Sequence, residues 1–430
     1  MTRQTLRTLT ALTALAMPLA FAACSGQDNN GSGDNQGGGD DVTITVAMMN
    51  GSKPGLDAAI ELFEAGDPGF EVDAIYYESG DAFTAAVTTQ FASGNGTDLV
   101  QLIGGRGAPY AVGPFVEAGY LLDLSDQPWV DSMYEETKSL YTVDDKIYAL
   151  EVGLSPLALL SYNKDIFADN GLTIPTTFDE LLSTCEAISS NTDLIAISFA
   201  AGSAAVDANN MVVVAGNTVF SKDPDWLDKR LAGETTFADS GWRRAFEQLQ
   251  EMIDGGCFSP GTAALQMPEM ISEYASGEAA MMFTYGGQNG RVKQQTPEIN
   301  IGMFPFPGDE VSDTRLTPQS AGGLGAWIST KHPDQVREFL DFLAGPEGAN
   351  AFASNNFLIT GAQATTGDMP EDYVDLEPYF KNGLAIPDAS AWWPNTAFRD
   401  EFGAVIQGVF TGQATVDSVL ADADRLFDAG

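Results

Sequence analysis

Segments with strand character alternate with segments of helix character along residues 42–103. The strand segments are Val42–Met48, Phe70–Tyr77 and Asp98–Ile103, and the helix segments between them contain Ala58–Phe63 and Phe83–Phe91. Strands that run parallel need long crossover connections, which helices supply. The alternation therefore predicts an α/β fold with a largely parallel sheet and helices on both faces.

Polar residues follow each of these strands. In open α/β sheets, ligands bind beyond the carboxyl ends of the strands. We therefore expect Ser52, Lys53, Glu78 and Arg106 to share one rim of the sheet. An exposed salt bridge is the alternative interpretation of Arg106.

The first 24 residues have the features of an export signal. Arg3 and Arg7 precede an apolar run that is too short to span a bilayer comfortably, and two alanines come directly before Cys24. This arrangement resembles a bacterial lipoprotein signal, in which Cys24 becomes the acylated N-terminus. An ordinary secretory signal cleaved near Ala23 is the alternative. Residues 25–41 contain only Ser, Gly, Gln, Asp and Asn, which predicts a flexible tether.

The chain is strongly acidic, with 60 Asp and Glu against 20 Lys and Arg and a formal net charge of −40. Such a surface repels phosphate backbones, so we exclude nucleic acid as a partner. After the signal, no apolar run approaches the length of a membrane span.

Two cysteines remain beside Cys24. Outside the cytoplasm a cysteine pair tends to oxidise, so we predict a disulfide between Cys185 and Cys257, with two separate buried thiols as the alternative. The chain has a single histidine, His332. A single histidine offers few ligands for a zinc site and few residues for a histidine-based triad, so we expect no metal and no cofactor.

Two motifs in the middle of the chain carry a family resemblance. Tyr162-Asn163-Lys164-Asp165-Ile166-Phe167 is followed by Pro175-x-Thr177-Phe178-Asp179-Glu180-Leu181. Together they resemble the extracellular solute-binding proteins of ABC importers, in the carbohydrate-binding branch that includes maltose-binding protein. Gly277–Met281, Gly286-Gly287 and Gly322-Gly323 fit the same family in order.

The resemblance implies a periplasmic-binding-protein-like fold with two α/β lobes, an interlobe cleft and three crossovers. We place the crossovers near Leu150–Ser155, Leu316–Gly322 and Glu371–Pro378. The expected organisation is a lipoprotein signal peptide at 1–24, a tether at 25–41, lobe 1 at 42–151 and 320–373, and lobe 2 at 152–319 and 374–430.

A sugar ligand needs polar groups for its hydroxyls and an aromatic ring for its C–H face. Trp392 and Trp393 precede Pro394 in a predicted loop, where the resemblance implies a stacking aromatic, and packing of the crossing segment is the alternative. Tyr285 and Gln288 follow a strand at the cleft edge, and Glu151 lies in the first crossover. These residues join Arg106, Glu78, Ser52 and Lys53 as candidate ligand contacts.

The function that follows is capture of a neutral sugar and its delivery to a membrane permease, without catalysis. We expect a monomer, lipid-anchored on the extracellular side of the membrane. Two other functions remain as alternatives. A binding protein for a cationic solute such as a polyamine would suit the acidic charge, and a secreted glycoside hydrolase would need a pair of carboxylates.

Overall fold

The computed structural model describes residues 42–157, 159–284, 287–393 and 396–429, without the side chains of residues 205, 284, 392, 396 and 397. The signal, the tether and Cys24 lie outside this part of the chain. In chain order, the strands are β1 (Val42–Met49), β2 (Phe70–Tyr77), β3 (Leu99–Leu102), β4 (Thr142–Val143), β5 (Lys146–Ile147), β6 (Ala149–Glu151), β7 (Leu154–Leu157), β8 (Leu159–Asn163), β9 (Ile195–Ser198), β10 (Ala279–Thr284), β11 (Ile301–Pro305), β12 (Thr317–Ser320) and β13 (Gly323–Ala326).

The α-helices lie mainly between these strands and after the last of them. They are α1 (Lys53–Glu64), α2 (Gly80–Ala92), α3 (Val112–Glu117), α4 (Glu135–Lys138), α5 (Lys164–Asp169), α6 (Phe178–Asn191), α7 (Ala204–Ala215), α8 (Trp226–Leu231), α9 (Trp242–Asp254), α10 (Met267–Ala275), α11 (Gln288–Gln295), α12 (Pro333–Ala344), α13 (Pro346–Asn355), α14 (Gly361–Thr366), α15 (Glu377–Lys381), α16 (Thr396–Phe410) and α17 (Val416–Ala429).

The first lobe is built on a five-stranded sheet in the order β2-β1-β3-β13-β6. Strand β1 pairs parallel with β2 and β3, whereas β13 runs antiparallel to β3 and β6. Successive side chains of a strand point to opposite faces. Ile44, Val46 and Met48 accordingly enter one apolar core, and Ala47 enters a second core with Phe83 and Phe91. Both faces of the sheet are therefore covered, as the alternating sequence predicts.

The second lobe has a four-stranded sheet in the order β11-β8-β10-β9. Strand β8 runs antiparallel to both of its neighbours, and only β9 and β10 pair parallel. The parallel arrangement predicted from residues 42–103 therefore does not extend to this sheet. An aromatic cluster fills the core beside it, in which Trp226, Phe237 and Trp242 pack with ring centroids 4.9–5.8 Å apart.

A two-stranded antiparallel ribbon of β7 and β12 lies between the two sheets. Strand β6 leads into β7 and β12 leads into β13, within the segments that are predicted as the first two crossovers. Gly322 adopts φ +122° at the second crossover, a conformation that favours glycine, and a Cβ there would lie 3.1 Å from the Gln101 amide.

The third crossover is predicted at Glu371–Pro378, but the packing of the chain changes before that segment. Leu358 packs on the core of the first lobe, whereas the next residue, Ile359, bridges Leu154 of the ribbon and joins a separate core cluster with Leu159 and Met303. The 3-10 helix Glu371–Leu376 already packs on β11 of the second sheet. We therefore place this crossover near residues 357–360, which shortens the first lobe at its C-terminal boundary.

The structure joins Cys185 of α6 to Cys257, which follows α9, in a disulfide with a Cα–Cα distance of 4.9 Å. Both cysteines are fully buried in the core of the second lobe. The bond closes a loop of 72 residues and ties α6 to the end of α9.

A carboxyl group is buried in α7 of the same lobe. Asp207 is 0% exposed and faces Phe199, Leu249 and Met252, and neither of its carboxyl oxygens has a hydrogen-bond partner among the described residues. Burial disfavours the charged form, so the pKa of Asp207 is raised well above its usual value. At a pH between the unfolded and the folded pKa, the folded protein therefore holds a proton at Asp207 that the unfolded chain releases.

This proton predicts a pH-dependent loss of stability. The contribution of Asp207 is fully present below its unfolded pKa near 4 and declines as the pH rises towards the raised folded value. Relative to wild type, Asp207→Asn should gain stability as the pH rises, by at most about 1.4 kcal/mol per pH unit. Urea unfolding of both proteins at pH 4.5 and pH 7 measures how the difference in their free energies of unfolding changes with pH. Any pH-independent cost of placing an amide at this buried position cancels in that comparison. An unchanged difference would contradict the assignment.

Candidate functional site

A cavity of about 420 Å³ opens between the two lobes, and we call it the cleft cavity. The first lobe contributes residues at the ends of its parallel strands, namely Met49 at the end of β1 and Ile103, Gly104, Gly107 and Tyr110 after β3, together with Leu140. This is the edge of the sheet where ligands bind in open α/β folds. The ribbon contributes Gln319, Ser320 and Ala321 at the base.

The second lobe closes the cavity with residues from three elements. Asn209 comes from α7 and Arg399 from α16, and Asp388, Ser390, Ala391 and Trp393 come from the segment before α16. Asn209 is half-buried. The cavity therefore presents amide, carboxylate and guanidinium groups from the second lobe opposite apolar groups and a phenol from the first.

Asp388 holds the second-lobe segment to the ribbon. It is only 3% exposed, and its Oδ2 accepts a hydrogen bond from the Gln319 amide at 3.1 Å. Its Oδ1 accepts from the Ser390 backbone N–H at 2.9 Å and from the Ser390 hydroxyl at 2.6 Å. These bonds begin the 3-10 helix Ala389–Trp392 and fix the carboxylate at the base of the cleft.

Tyr110 and Arg399 face one another across the cavity from opposite lobes. The Tyr110 ring packs edge-on against Phe83 at 5.3 Å, which fixes its position. Burial raises the pKa of the Tyr110 hydroxyl, and the nearby Arg399 charge lowers it in part. Tyr110 is therefore a neutral hydroxyl at neutral pH, able to donate and to accept, beside a cationic donor.

The lobes touch directly at the mouth of the cavity. The Arg106 backbone N–H donates to the Ala391 carbonyl oxygen at 3.2 Å. Gly105 adopts φ +74°, and a Cβ at this position would lie 2.3 Å from the same carbonyl oxygen. The close approach of the two lobes here thus requires a residue without a side chain.

These features can be compared with known proteins. A family model described as bacterial extracellular solute-binding protein matches residues 50–350, which is more than half of the chain. The chain belongs to this family. The resemblance found in its sequence motifs is thereby confirmed.

Two sugar-binding relatives match this chain at low sequence identity. The melibiose/raffinose/stachyose-binding protein MelE of Bacillus subtilis is 24% identical over 283 residues, or 63% of this chain and 65% of MelE. The alignment thus spans slightly less than two thirds of that relative. A multiple sugar-binding protein of Streptococcus mutans is 22% identical over 66% of this chain and 67% of its own length.

The fold extends further than the sequence match. The apo form of RafE from Streptococcus pneumoniae superposes with a TM-score of 0.74 at 18% identity, covering 92% of this chain and 99% of RafE. The two-lobed solute-binding architecture is therefore confirmed over nearly the whole chain.

None of the helices in the described ranges is both long and apolar enough to cross a bilayer. The same residues contain no group of three or more His, Cys, Asp or Glu that could hold a metal.

Among the predicted contacts in this solute-binding protein, Trp393 lines the cleft cavity, but it does so from within the core. It is 2% exposed, and its ring packs edge-on against Phe398 at 5.0 Å and Phe402 at 5.6 Å. Its indole Nε1 has no partner among the described residues. Trp393 is therefore a packed wall of the site rather than a ring on a free loop. Tyr285 and the side chain of Trp392 lie outside the described residues.

Arg106 borders the cleft through its backbone rather than its side chain. The guanidinium is half exposed and pairs with Glu117, which is the surface salt bridge considered as the alternative. Its neighbours Gly104 and Gly107 line the cavity instead.

The remaining rim candidates do not line the cleft cavity. Lys53 begins α1, where it pairs with Asp57 at 2.8 Å and lies over the Tyr76 ring, on an exposed face. Ser52 accepts from Gln101 at 3.4 Å, and exposed Glu78 accepts from Asn50 at 3.0 Å. Gln288 is buried at the start of α11. Glu151 lines a different cavity, behind the ribbon.

Sequence reasoning missed Tyr110, Asn209, Gln319, Asp388 and Arg399. One signal for Asn209 was present, because Asp207, Asn209 and Asn210 interrupt an otherwise Val- and Ala-rich helix. A signal for Asp388 was also present, because in Asp388-Ala389-Ser390 an aspartate precedes a serine by two residues, the spacing at which an aspartate side chain bonds the backbone of a turn. Arg399 and Gln319 carry no local signal, since only the closure of the two lobes brings them together.

The close approach at Gly105 predicts that a single methyl group opens the lobes. Gly105→Ala should raise the radius of gyration in small-angle X-ray scattering, because the methyl group and the Ala391 carbonyl cannot occupy the observed positions. Gly119→Ala is the matched control, since Gly119 has a similar φ of +72° and nothing within 4 Å of a built Cβ. Equal radii for the two variants would refute the contact.

Proposed function

We propose that this chain is the ligand-binding component of an ABC importer and captures a sugar between its lobes. The observation that carries the proposal is a cavity of about 420 Å³ whose polar groups come from both lobes and from the ribbon between them. A ligand that contacts both lobes stabilises the closed form by differential affinity, and the closed form is what a permease would recognise. The size is typical of small-molecule sites.

The chemistry of the lining supports a sugar. Asn209, Asp388 and Arg399 offer the amide, carboxylate and guanidinium groups that pair with hydroxyls that both donate and accept. Met49, Ile103 and Trp393 offer apolar surface for the C–H faces of a ring. The relatives named for melibiose, raffinose and stachyose and for multiple sugars support the same ligand class.

The other two functions fit the lining less well. Asp388 is the only carboxylate among the described residues of the cleft cavity, and three hydrogen bonds already hold it. A glycoside hydrolase needs two carboxylates that flank the scissile bond. A polyamine site needs several acids, whereas this cavity carries the cationic side chain of Arg399. We therefore favour a binding protein for a neutral solute, without catalysis.

Binding can be tested by isothermal titration with melibiose, raffinose, stachyose and spermidine. A sugar should bind, and at 100 times its Kd it should stabilise the protein by about 2.7 kcal/mol in urea unfolding. Asn209→Ala should weaken binding roughly tenfold or more, since a buried sugar hydroxyl would lose its partner.

The matched control is Asn191→Ala, which removes the same group from an exposed position at the end of α6, outside the cleft cavity and outside the cavity that Glu151 lines. Its sugar affinity should equal that of wild type. Binding of spermidine but of no sugar would overturn the ligand class, and equal affinities for the two alanine variants would overturn the site. Trp393→Ala is unsuitable, because removing a buried tryptophan costs about 3–5 kcal/mol of stability.

We also propose that Cys24 is acylated and holds the mature monomer at the extracellular face of the membrane, through the polar segment 25–41. Stable membrane attachment of a protein without a spanning helix depends on its lipid chains. Cys24→Ser should therefore appear in the culture medium, measured by immunoblotting of medium and membrane fractions. Retention of Cys24→Ser in the membrane fraction at the wild-type level would reject the anchor.

A further inference from the structure

A residue with a positive φ lies in each of the three passages between the lobes. Gly153 in the first passage adopts φ +151°, Gly322 in the second adopts φ +122°, and Phe357 in the third adopts φ +53°. Glycine takes such values without a steric cost, whereas a bulky residue in the left-handed region is strained. The other described non-glycine residues with a positive φ are aspartates, whose short polar side chains tolerate it. Phe357 is therefore the outlier among them.

The end of a helix imposes this conformation on Phe357. Helix α13 ends at Asn355, and the Leu358 N–H donates to the Ala353 carbonyl oxygen at 2.9 Å. The Phe357 N–H donates to the Ser354 carbonyl oxygen at 3.4 Å. In this pattern the second residue after the helix is left-handed, and that residue is usually glycine. A glycine would end α13 without strain, so the presence of a phenylalanine indicates a separate role for its side chain.

The ring and the carbonyl group of Phe357 are both held by the second lobe. The half-buried ring lies directly over Gly290 of α11, because a Cβ on Gly290 would be 2.1 Å from a ring carbon. Gly290 is buried, and the nearby Val292 enters the core of the second lobe. The Phe357 carbonyl oxygen accepts from the Tyr373 hydroxyl at 2.6 Å. The ring therefore occupies a position on α11 that is open only because residue 290 has no side chain.

The residue before Phe357 is held by the first lobe. Oδ1 of Asn356 accepts from the Gly55 N–H at 3.1 Å, and its Nδ2 donates to the Ser52 carbonyl oxygen at 3.3 Å, both at the start of α1. Adjacent residues of the chain are thus fixed to opposite lobes. When the lobes rotate relative to one another, either the torsions between Asn356 and Phe357 turn or the ring leaves Gly290.

We propose that Phe357 is a latch between the lobes, whose ring on Gly290 stabilises the closed arrangement and thereby raises the affinity of the cleft for its ligand. Phe357 is a positioning residue, because it is not among the described residues that line the cleft cavity. The apparent affinity of a protein that binds its ligand in the closed form falls with the fraction of closed molecules. The effect on affinity rests on the proposed capture of a sugar, whereas the latch itself does not.

Two simpler roles of Phe357 make different predictions. If the ring only stabilises the fold, its removal lowers the free energy of unfolding and leaves the lobes in place. If the left-handed torsion itself sets the angle between the lobes, relief of the strain changes that angle and loss of the ring alone does not. Variants that separate the ring from the backbone therefore distinguish the three roles.

Three variants make this separation. Phe357→Ala removes the ring and keeps the strain, Phe357→Gly removes both, and Gly290→Ala places a methyl group where the ring lies. Small-angle X-ray scattering of the ligand-free protein should give a larger radius of gyration for all three than for wild type. The two Phe357 variants should have equal radii, although Phe357→Gly should be the more stable in urea, since glycine is left-handed without strain.

The double variant Phe357→Ala, Gly290→Ala tests the contact itself. With the ring absent, the methyl group displaces nothing, so the double variant should have the radius of Phe357→Ala alone. Gly80→Ala is the matched control for the glycine change, because Gly80 also lies in a helix and has nothing within 4 Å of a built Cβ. Asp67→Ala and Asp67→Gly are the controls for the backbone, since Asp67 is exposed and has a similar φ of +55°. All three controls should keep the wild-type radius.

Sugar binding provides the second readout. In isothermal titration with melibiose, raffinose and stachyose, Phe357→Ala and Gly290→Ala should each weaken binding about fivefold for any of these sugars that wild type binds. Radii that rise without a loss of sugar affinity would overturn the link between the latch and the cleft.

The scattering results decide the latch without any ligand. Equal radii for wild type, Phe357→Ala and Gly290→Ala would overturn it, and so would a double variant with a larger radius than Phe357→Ala. A wild-type radius for Phe357→Gly beside an enlarged one for Phe357→Ala would assign the lobe angle to the torsion instead of the ring. If none of the three sugars binds wild type, the proposed function fails while the radii still decide the latch.

Discussion

The pairing of β7 with β12 is the interaction on which the rest of the molecule depends. Each strand has four residues, and the pairs run from Leu154 with Ser320 to Leu157 with Thr317. Every other element belongs to one lobe or packs beside this ribbon, so the ribbon sets the relative position of the lobes. Pro156 faces Pro318, and like Leu154 and Leu316 two residues earlier, these residues direct their backbone away from the partner strand. The two prolines therefore cost the ribbon no hydrogen bond.

The local sequence predicts elements well where one strand is followed by its own helix. The segment from β1 to β3 pairs as predicted because βαβ connections are short and have a fixed hand. Strand β8 could not be predicted in the same way. Its two antiparallel neighbours, β10 and β11, are more than 100 residues away in the chain, and nothing in its residues specifies their direction. The third crossover is hard to locate from the sequence for a related reason, since Leu358 and Ile359 are alike in sequence but enter different cores.

The candidate site was only partly accessible from the sequence. Trp393 was singled out because two adjacent tryptophans precede a proline, and it does line the cleft cavity. Its burial against Phe398 and Phe402 comes from α16, which the loop interpretation did not consider. Glu151 ends β6, at the predicted first crossover, but residues of a strand alternate between faces, and Glu151 lines the cavity beside Trp129 and Leu343 rather than the cleft cavity. Asp388 acquires its role from Gln319, which is 69 residues away.

The strength of the interlobe contact must suit a protein that opens and closes. At the mouth, the backbone bond from Arg106 to Ala391 contributes on the order of 1 kcal/mol, so it biases the lobes towards closure without locking them. A ligand that binds the closed form better by several kcal/mol then decides which form is populated. The polar groups of the cleft are divided between the lobes, which makes ligand binding depend on the closed form. Tyr110 and Arg399 belong to opposite lobes, so a ligand can pair with both only when the lobes are closed.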